Sequence, residues 1–172
     1  MSIDEFNNES FTGVAREFYK NGQIWYEVFK LNGKSNGEFK SFHTNGQLAI
    51  EVAYLNGKQN GIYKSYQSNG QLLSEINMID GIENGIKKSF YDNGQLHEEI
   101  MYKNGKISMV KAYDINGQIL SEINWIDGIE NKIKKSFYEN GQLHEEIMYE
   151  NGKINMVKAY DINGQICRNV TF

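Results

Sequence analysis

The tripeptide Asn-Gly-Gln occurs seven times in this 172-residue chain, and successive copies lie 23 or 24 residues apart. The copies begin at Asn21, Asn45, Asn69, Asn93, Asn116, Asn140 and Asn163. A fixed period of this length is typical of arrays in which each repeat packs only on its neighbours. The sequence therefore predicts about seven stacked units of 23–24 residues instead of one closed globule.

Glycine is confined to three positions of the repeat. Of the 17 glycines, seven lie in Asn-Gly-Gln, six lie eleven residues later in a second turn, and four lie eight residues before the Asn-Gly-Gln asparagine. Asn-Gly accepts positive φ at low steric cost, which favours hairpin turns. Two turns per repeat predict two antiparallel strands per repeat and about 14 strands in all, and the chain has no proline to interrupt them.

The segments between the turns contain fixed columns of residue types. An aromatic residue stands three positions before each asparagine: Phe18, Phe42, Tyr66, Phe90, Tyr113, Phe137 and Tyr160. A base stands five positions before it: Arg16, Lys40, Lys64, Lys88, Lys111, Lys135 and Lys158. Leucine or isoleucine follows three positions after it, and in the first six repeats an acid follows six after: Glu27, Glu51, Glu75, Glu99, Glu122 and Glu146.

Two hairpin registers compete for these columns. A two-residue loop would oppose the bases to the acids, whereas a three-residue loop with a bulged glycine would put the aromatic and Leu/Ile columns on one face. An exposed ion pair contributes about 0.2–1 kcal/mol and a buried apolar side chain about 1.5–3 kcal/mol. We therefore predict the three-residue loop, with acids and bases on different faces and the basic column among the aromatic rings.

A 23-residue repeat reverses the face of each side chain unless the missing residue is absorbed locally. We expect this to happen near Ser108 and Asn155. Residues 72–118 and 119–165 match at 41 of 47 positions, so a two-repeat block was duplicated. Residues 1–12 are polar and are predicted to cap or fray, with the array at 13–172; the last residues continue a strand pattern and predict a C-terminal edge strand capable of self-association.

The stretch YLNGKQNGIYKSYQSNGQLLSEI, residues 54–76, resembles the MORN-like variant repeat in its turn glycines, its central Lys-x-aromatic and its NGQL. Bacterial proteins built from such repeats are often classed as the YwqK family of antitoxins. The resemblance covers roughly residues 13–172 and implies an all-β fold, an elongated single-layer antiparallel sheet of stacked hairpins. The last repeat departs from the pattern, with Cys167, Arg168 and Asn169 in place of acidic residues.

Composition and motif spacing argue against several functional classes. The chain has 18 basic and 22 acidic residues, a net charge of -4, which disfavours nucleic acid as a partner. One cysteine excludes an internal disulfide, and with no signal peptide or apolar span we expect a soluble cytoplasmic protein. His97 and His144 lie two repeats apart, about 19 Å, and His43 belongs to another column, so we predict no metal site and no cofactor.

Catalysis needs one asymmetric constellation, but each candidate group here is copied from repeat to repeat. The sequence therefore predicts a non-enzymatic module that binds another protein, and the resemblance suggests an antitoxin or immunity partner. The residues that we expect to contact the partner are Tyr66, Phe90, Tyr113, Phe137, Tyr160, Lys64, Lys88, Lys111, Lys135 and Lys158. The alternative is peripheral binding to anionic membrane lipid, suggested by the resemblance and by lysines beside aromatic rings, although the net charge of -4 weakens it.

Overall fold

The computed structural model describes residues 10–126 and 131–172, and each regular element in these ranges is a β-strand. The predicted all-β class of antiparallel hairpin repeats is confirmed. The chain divides into two compact units, unit 1 (residues 1–84) and unit 2 (residues 85–172). Most of the predicted N-terminal cap, residues 1–9, lies outside the described residues.

Unit 1 is an open antiparallel sheet. Its strands are β1 (Gly13–Phe18), β2 (Ile24–Leu31), β3 (Lys34–Phe42), β4 (Leu48–Leu55), β5 (Lys58–Gln59), β6 (Gly61–Tyr66), β7 (Leu72–Ile79) and β8 (Ile82–Glu83). Neighbours in the sheet follow chain order as β1-β2-β3-β4-β6-β7, while the two-residue strands β5 and β8 pair with β4 and β7. Sequence neighbours are therefore also spatial neighbours, as a hairpin array requires.

Unit 2 repeats this arrangement. Its strands are β9 (Gly85–Phe90), β10 (Leu96–Lys103), β11 (Lys106–Tyr113), β12 (Ile119–Ile126), β13 (Asn131–Phe137), β14 (Leu143–Glu150), β15 (Lys153–Tyr160) and β16 (Ile166–Thr171). They lie in the sheet in chain order. The predicted C-terminal edge strand corresponds to β16, which pairs with β15 and has several exposed side chains.

The Asn-Gly-Gln turn is a three-residue loop, which confirms the prediction. In the first repeat the loop is Lys20-Asn21-Gly22, and it is closed by the Tyr19 N–H donating to the Gln23 carbonyl at 2.8 Å. The Gly22 N–H donates to the Tyr19 carbonyl at 2.9 Å, and Gly22 has φ +84°. This is the hairpin with a type I turn and a bulged glycine that Asn-Gly at the loop end favours.

The second turn of the repeat is a two-residue loop. Leu31 pairs with Lys34, and the intervening Asn32 and Gly33 have φ +49° and +74°. Positive φ at both loop residues defines the type I′ turn, for which Asn-Gly is the preferred dipeptide. The two copies of Asn-Gly in one repeat therefore make two different turns.

The prediction that the acidic and basic columns lie on different faces is wrong. Phe18 pairs with Ile24, but the register then shifts, so that Arg16 pairs with Glu27. The shift leaves one residue of the returning strand without a partner in the register, a β-bulge that recurs in the same place along the array. The bulged residues are Trp25, Ala49, Leu73, His97, Leu120, His144 and Cys167. Because the bulge absorbs one residue, the aromatic–aliphatic pairs and the ion pairs form together.

The two short repeats lose their residue where the sequence predicts. Met101 pairs with Met109 and Tyr102 with Ile107, which leaves Ser108 as a single bulged residue. Asn155 is the corresponding residue between β14 and β15. In the 24-residue repeat of β2 and β3 the bulge is longer. Three residues of β3 lie between Ser35 and Phe39, whereas only Phe29 lies between their partners Lys30 and Val28 on β2. The shorter bulge removes one residue without turning the following strand over.

The two faces of the sheet differ in burial. In each unit the core face carries a row of cross-strand partners, and the buried members include Ala15, Val28, Val52, Ile76 and Val157, each at 7 % exposure or less. In unit 1 large rings pack beside this row, with ring centroids 5.7 Å apart for Tyr26 and Phe39 and 6.0 Å for Phe39 and Tyr54. Rings of this size shield the small β-branched residues of a sheet from water.

Candidate binding surface on the ladder face

In each unit the face opposite the core face carries the charged columns, and we call it the ladder face of that unit. Because side chains alternate along a strand, residues next to the core row point to this face. Lys40 lies between its two cross-strand partners Glu27 and Glu51, and Glu51 in turn pairs with Lys64. In unit 2 the same alternation links Lys88, Glu99, Lys111, Glu122, Lys135, Glu146 and Lys158. Acid and base therefore alternate from strand to strand.

Several neighbours in this charge ladder form ion pairs. The N–O distances are 2.9 Å for Arg16–Glu27, 3.4 Å for Lys64–Glu51, 3.4 Å for Lys111–Glu122 and 3.8 Å for Lys135–Glu146. The side chains of these pairs are 19–49 % exposed. Partly exposed pairs contribute only about 0.2–1 kcal/mol each, so their main effect is to neutralise the charge of the face locally.

Tyrosine hydroxyls of the aromatic column reach into the ladder. The Tyr66 hydroxyl donates to Glu51 Oε1 at 2.6 Å, and the Tyr113 hydroxyl donates to Glu99 Oε2 at 2.7 Å. The bond from Tyr66 lowers the pKa of Glu51, with a further contribution from Lys64 and against the opposing effect of burial. Burial and the adjacent carboxylate raise the pKa of Tyr66 to about 12. The aromatic and charged columns thus form one hydrogen-bonded surface.

An apolar row borders the ladder on the side away from the Asn-Gly-Gln loops. In unit 1 it includes Val14, Phe29 and Ile62, which are 45 %, 38 % and 57 % exposed. In unit 2 it includes Ile86, Met101, Met109, Ile133, Met148 and Met156. The aromatic column lies on the other side of the ladder, so the charges are enclosed between two apolar rows.

The ten residues predicted to contact a partner each lie on the ladder face of their own unit. Tyr66 and Lys64 belong to unit 1, and the other eight belong to unit 2. The five aromatic side chains are half-buried, whereas Phe18 in the first repeat is 58 % exposed. The sequence did not identify the apolar row, although Val, Ile, Phe or Met stands at most of the positions two before the basic column and two after the acidic column.

The loop edge of the sheet is held by bonds between successive repeats. The Tyr19 hydroxyl donates to the Phe42 carbonyl at 2.7 Å, and His43 Nε2 lies 2.8 Å from the Tyr66 carbonyl. Tyr91 and Tyr138 make the equivalent bonds in unit 2. The Asn45 side-chain amide donates to the Ser68 carbonyl at 2.6 Å while its oxygen accepts the Gln47 N–H. The loop asparagine therefore both shapes its own turn and binds the next one.

Two of the three histidines and the cysteine lie at bulged positions of the returning strands. The rings of His97 and His144 lie against those of Tyr91 and Tyr138, with centroids 4.4 Å and 4.5 Å apart. Cys167 is exposed at the bulge of β16. Across residues 10–126 and 131–172 no three His, Cys, Asp or Glu side chains are grouped so that they could hold a metal ion. Those same residues contain no helix long and apolar enough to span a bilayer.

Comparison with known proteins agrees with the repeat geometry. The MORN repeat variant family matches residues 11–29, 35–56, 59–80, 83–104 and 130–151, which together make up more than half of the chain. A search of curated proteins gave no match. Repeats of this kind are generally associated with binding to proteins or membrane lipids and are not a known enzyme family. The chain belongs to the MORN repeat variant family.

Proposed function

We propose that this chain is a non-enzymatic module that binds another protein through its ladder face. The observation that carries the proposal is the neutralised charge ladder between two rows of apolar side chains. Protein interfaces combine apolar anchors with paired polar groups, and Met and aromatic residues are enriched in them. The ladder face offers this combination in most repeats, whereas Glu38 and Ala53 occupy the two positions of the row in the second repeat.

The same observation favours a protein over an anionic membrane. Lysines recruit anionic headgroups when their charge is uncompensated, but Lys64, Lys111 and Lys135 each lie within 4 Å of a glutamate. A membrane would have to compete with these carboxylates and with a net charge of -4. We therefore expect no flotation of the chain with phosphatidylserine vesicles at low salt. Flotation that weakens when Lys64 and Lys111 are changed to glutamine would favour the lipid alternative instead.

Two isoleucines of unit 2 allow a matched test of the binding face. Ile86 is 42 % exposed on the ladder face, and Ile107 is 43 % exposed on the opposite face, where it pairs with Tyr102. We expect Ile86→Glu to abolish capture of a partner from lysate of the source organism, because it places a charge in the apolar row. The variant Ile107→Glu carries the same charge at equal exposure and should retain capture.

The outcomes of that experiment separate the possibilities. No protein captured in stoichiometric amount by the unaltered chain would refute the proposed function. Equal loss of capture in both isoleucine variants, with circular dichroism unchanged, would remove the ladder face as the site. Loss in Ile86→Glu alone supports it.

The resemblance to YwqK-type repeats extends the proposal to the class of partner. We propose a toxin as the captured protein, with this chain as its antitoxin or immunity partner. The support is the resemblance alone, so the test must be direct: co-expression of the chain with a toxin encoded beside its gene. The chain should restore growth, and Ile86→Glu should not, while Ile107→Glu should. An adjacent gene product without toxicity would refute the antitoxin role.

A further inference from the structure

Two shallow concavities on the ladder face of unit 1 are lined by residues 24 positions apart. The first, about 210 Å³, is lined by Arg16, Glu27 and Phe29 among others. The second, about 230 Å³, is lined by their equivalents Lys40, Glu51 and Ala53. Glu38 and Lys40 line both concavities, so the two are adjacent. The concavities therefore follow the period of the array.

This period matches the period of one type of extended peptide. Equivalent residues of successive hairpins are two strands apart, or about 9.6 Å. A polyproline II segment advances about 3.1 Å per residue with three residues per turn, so it presents a side chain to one face about every 9.3 Å. A β-strand repeats about every 6.7 Å. A helix repeats about every 5.4 Å per turn and is about 10–12 Å wide, too broad to follow concavities of this size.

The exposed acid that lines both concavities, Glu38, favours a basic side chain as the group that would enter them. The ionisable residues lining the second concavity are Glu38, Lys40 and Glu51, with one more acid than base, whereas the first is lined by two acids and two bases. The Glu38 side chain is 78 % exposed although its Oε2 accepts a bond from Lys40 Nζ at 2.8 Å. Ile62, 57 % exposed, forms an apolar wall beside these charges. An arginine or lysine fits this combination because its alkyl stem covers apolar surface while its cationic head reaches a carboxylate.

We propose that the ladder face of unit 1 binds a polyproline II segment of a partner protein, with Arg or Lys at every third position. The segment crosses the strands, and successive basic side chains enter successive concavities. Polyproline II has no internal hydrogen bonds, so the peptide groups between the basic residues remain able to bond with the alternating bases and acids of the ladder. This proposal rests on the proposed function and specifies the chemistry of its partner.

Two synthetic peptides of identical composition test the spacing. The probe is acetyl-(Arg-Pro-Pro)4-amide with a fluorescein label, and the control has two copies of Arg-Pro-Arg-Pro-Pro-Pro, with the same charge and proline content. In the probe, two arginines three positions apart can enter both concavities at once. In the control no two arginines are three positions apart, so when one enters a concavity no other reaches the adjacent concavity. One exposed ion pair corresponds to at most about a fivefold change in Kd. By fluorescence anisotropy at low salt we expect the probe to bind about three- to fivefold more tightly. Equal affinities, or no binding of either peptide, would overturn the proposal.

Charge-matched and size-matched variants test the site. Glu38→Gln and Asp80→Asn each remove one negative charge, but Asp80 lies in a second turn, at a position where four of the repeats have asparagine. Ile62→Ser and Ile115→Ser alter isoleucines that are 57 % and 56 % exposed, one at a concavity and one in a loop. We expect Glu38→Gln and Ile62→Ser each to weaken probe binding about threefold or more, and the two controls to leave it unchanged. Equal effects within the charge-matched pair or within the size-matched pair would assign the binding to net charge or to nonspecific hydrophobic contact, and would overturn the site.

Failure of this proposal can be told apart from failure of the proposed function. Capture of a protein that depends on Ile86, together with equal binding of both peptides, overturns only the peptide proposal. Absence of any captured protein, together with no peptide binding, overturns both. Tighter binding of the probe with the predicted variant pattern supports both.

Discussion

Replacing Tyr66 by phenylalanine removes a single hydroxyl from the ladder face and leaves the ring in place. That hydroxyl donates to Glu51 Oε1 at 2.6 Å. Phenylalanine already occupies the equivalent position in four repeats, so the altered ring fits the sheet. The variant therefore isolates one charge-assisted hydrogen bond between neighbouring hairpins.

The size of the effect follows from the surroundings of Glu51. A hydrogen bond to a charged group contributes about 1.5–3 kcal/mol. The Glu51 side chain is 31 % exposed, and Lys64 Nζ remains 3.4 Å away when the hydroxyl is removed. Solvent and this second partner compensate part of the loss, so we expect the free energy of unfolding at pH 7 to fall by about 1–1.5 kcal/mol.

The pH dependence of the free energy of unfolding is an independent test of the Tyr66–Glu51 bond. The bond from Tyr66 holds the pKa of Glu51 below its usual value of 4.5. A lowered pKa in the folded state adds stability that is fully present above pH 4.5 and is lost as the pH falls through the folded-state pKa. The difference between the unaltered chain and Tyr66→Phe should therefore shrink towards pH 3. On the alkaline side, the pKa of Tyr66 is about 12 against the usual 10.0, so the unaltered chain alone loses this contribution from pH 10 upward.

Urea unfolding followed by circular dichroism measures these differences. The variants Tyr66→Phe, Glu51→Gln and the double variant complete a mutant cycle, and we expect a coupling energy of about 1 kcal/mol at pH 7. A coupling energy within error of zero, or a loss in Tyr66→Phe that is the same at pH 3 as at pH 7, would refute the role given to the hydroxyl.

Four further substitutions test the repeat itself. Gly70 and Gly94 have φ +87° and +82°, and a Cβ at Gly70 would meet the Gln47 side-chain oxygen at 3.0 Å while one at Gly94 would meet no atom within 4 Å. Because that oxygen ends a flexible side chain, alanine at either position should lower the free energy of unfolding by a similar amount, about 1–2 kcal/mol, the penalty of a left-handed backbone. A much larger loss at Gly70 in urea unfolding would instead show that the contact between repeats is rigid. Val52→Ala removes buried volume from a side chain 3 % exposed and should lower the unfolding free energy by about 2–3 kcal/mol, and a loss below about 1 kcal/mol would contradict its place in the core. Tyr19→Phe deletes a 2.7 Å bond between repeats and should cost about 0.5–1.5 kcal/mol, seen as faster hydrogen exchange in the first two hairpins and contradicted by unchanged exchange.

The turns could be predicted from sequence because their chemistry is local. Positive φ at Gly22 and at Asn32 follows from the residue types themselves, whatever the sheet around them. The position of the missing residue in the short repeats was also predictable, since Ser108 and Asn155 replace a glycine that occupies a longer bulge elsewhere. Local conformational preference and the count of residues were sufficient in both cases.

The bulge beside the Leu/Ile column could not be predicted in the same way. Its residue varies in type, and tryptophan, alanine, leucine, histidine and cysteine all occupy it, because a bulged side chain has no fixed partner. In a regular ladder without a bulge, pairing of the aromatic column with the Leu/Ile column and ion pairing of the charged columns exclude one another. Requiring both columns to be satisfied at once would have indicated the bulge, because one extra residue is the smallest change that allows both.

The bonds between repeats escaped prediction for a different reason. Tyr19 and His43 occupy the same position in successive repeats and both reach a main-chain carbonyl of the next hairpin. The position looks variable by residue type, but a phenol and an imidazole can bond with the same acceptor at similar reach. In the shorter repeats Asp114 stands there and accepts the Gln118 N–H of its own loop instead. The shared feature is a bonding role, which residue identity alone conceals.

The charge ladder changes where a binding function can lie on this sheet. Viewed as separate columns, the lysines suggest attraction to an anion and the glutamates attraction to a cation. Their pairing across strands, at 3.4 Å for Lys64–Glu51 and for Lys111–Glu122, cancels both attractions at short range. Alternating charges also disfavour pairing of a strand with the next but one, because like charges would then face each other in place of an ion pair. The ladder thus supports the observed order of the strands, and selectivity for a partner rests on the apolar row and on exposed acids such as Glu38, which stands at one position of that row.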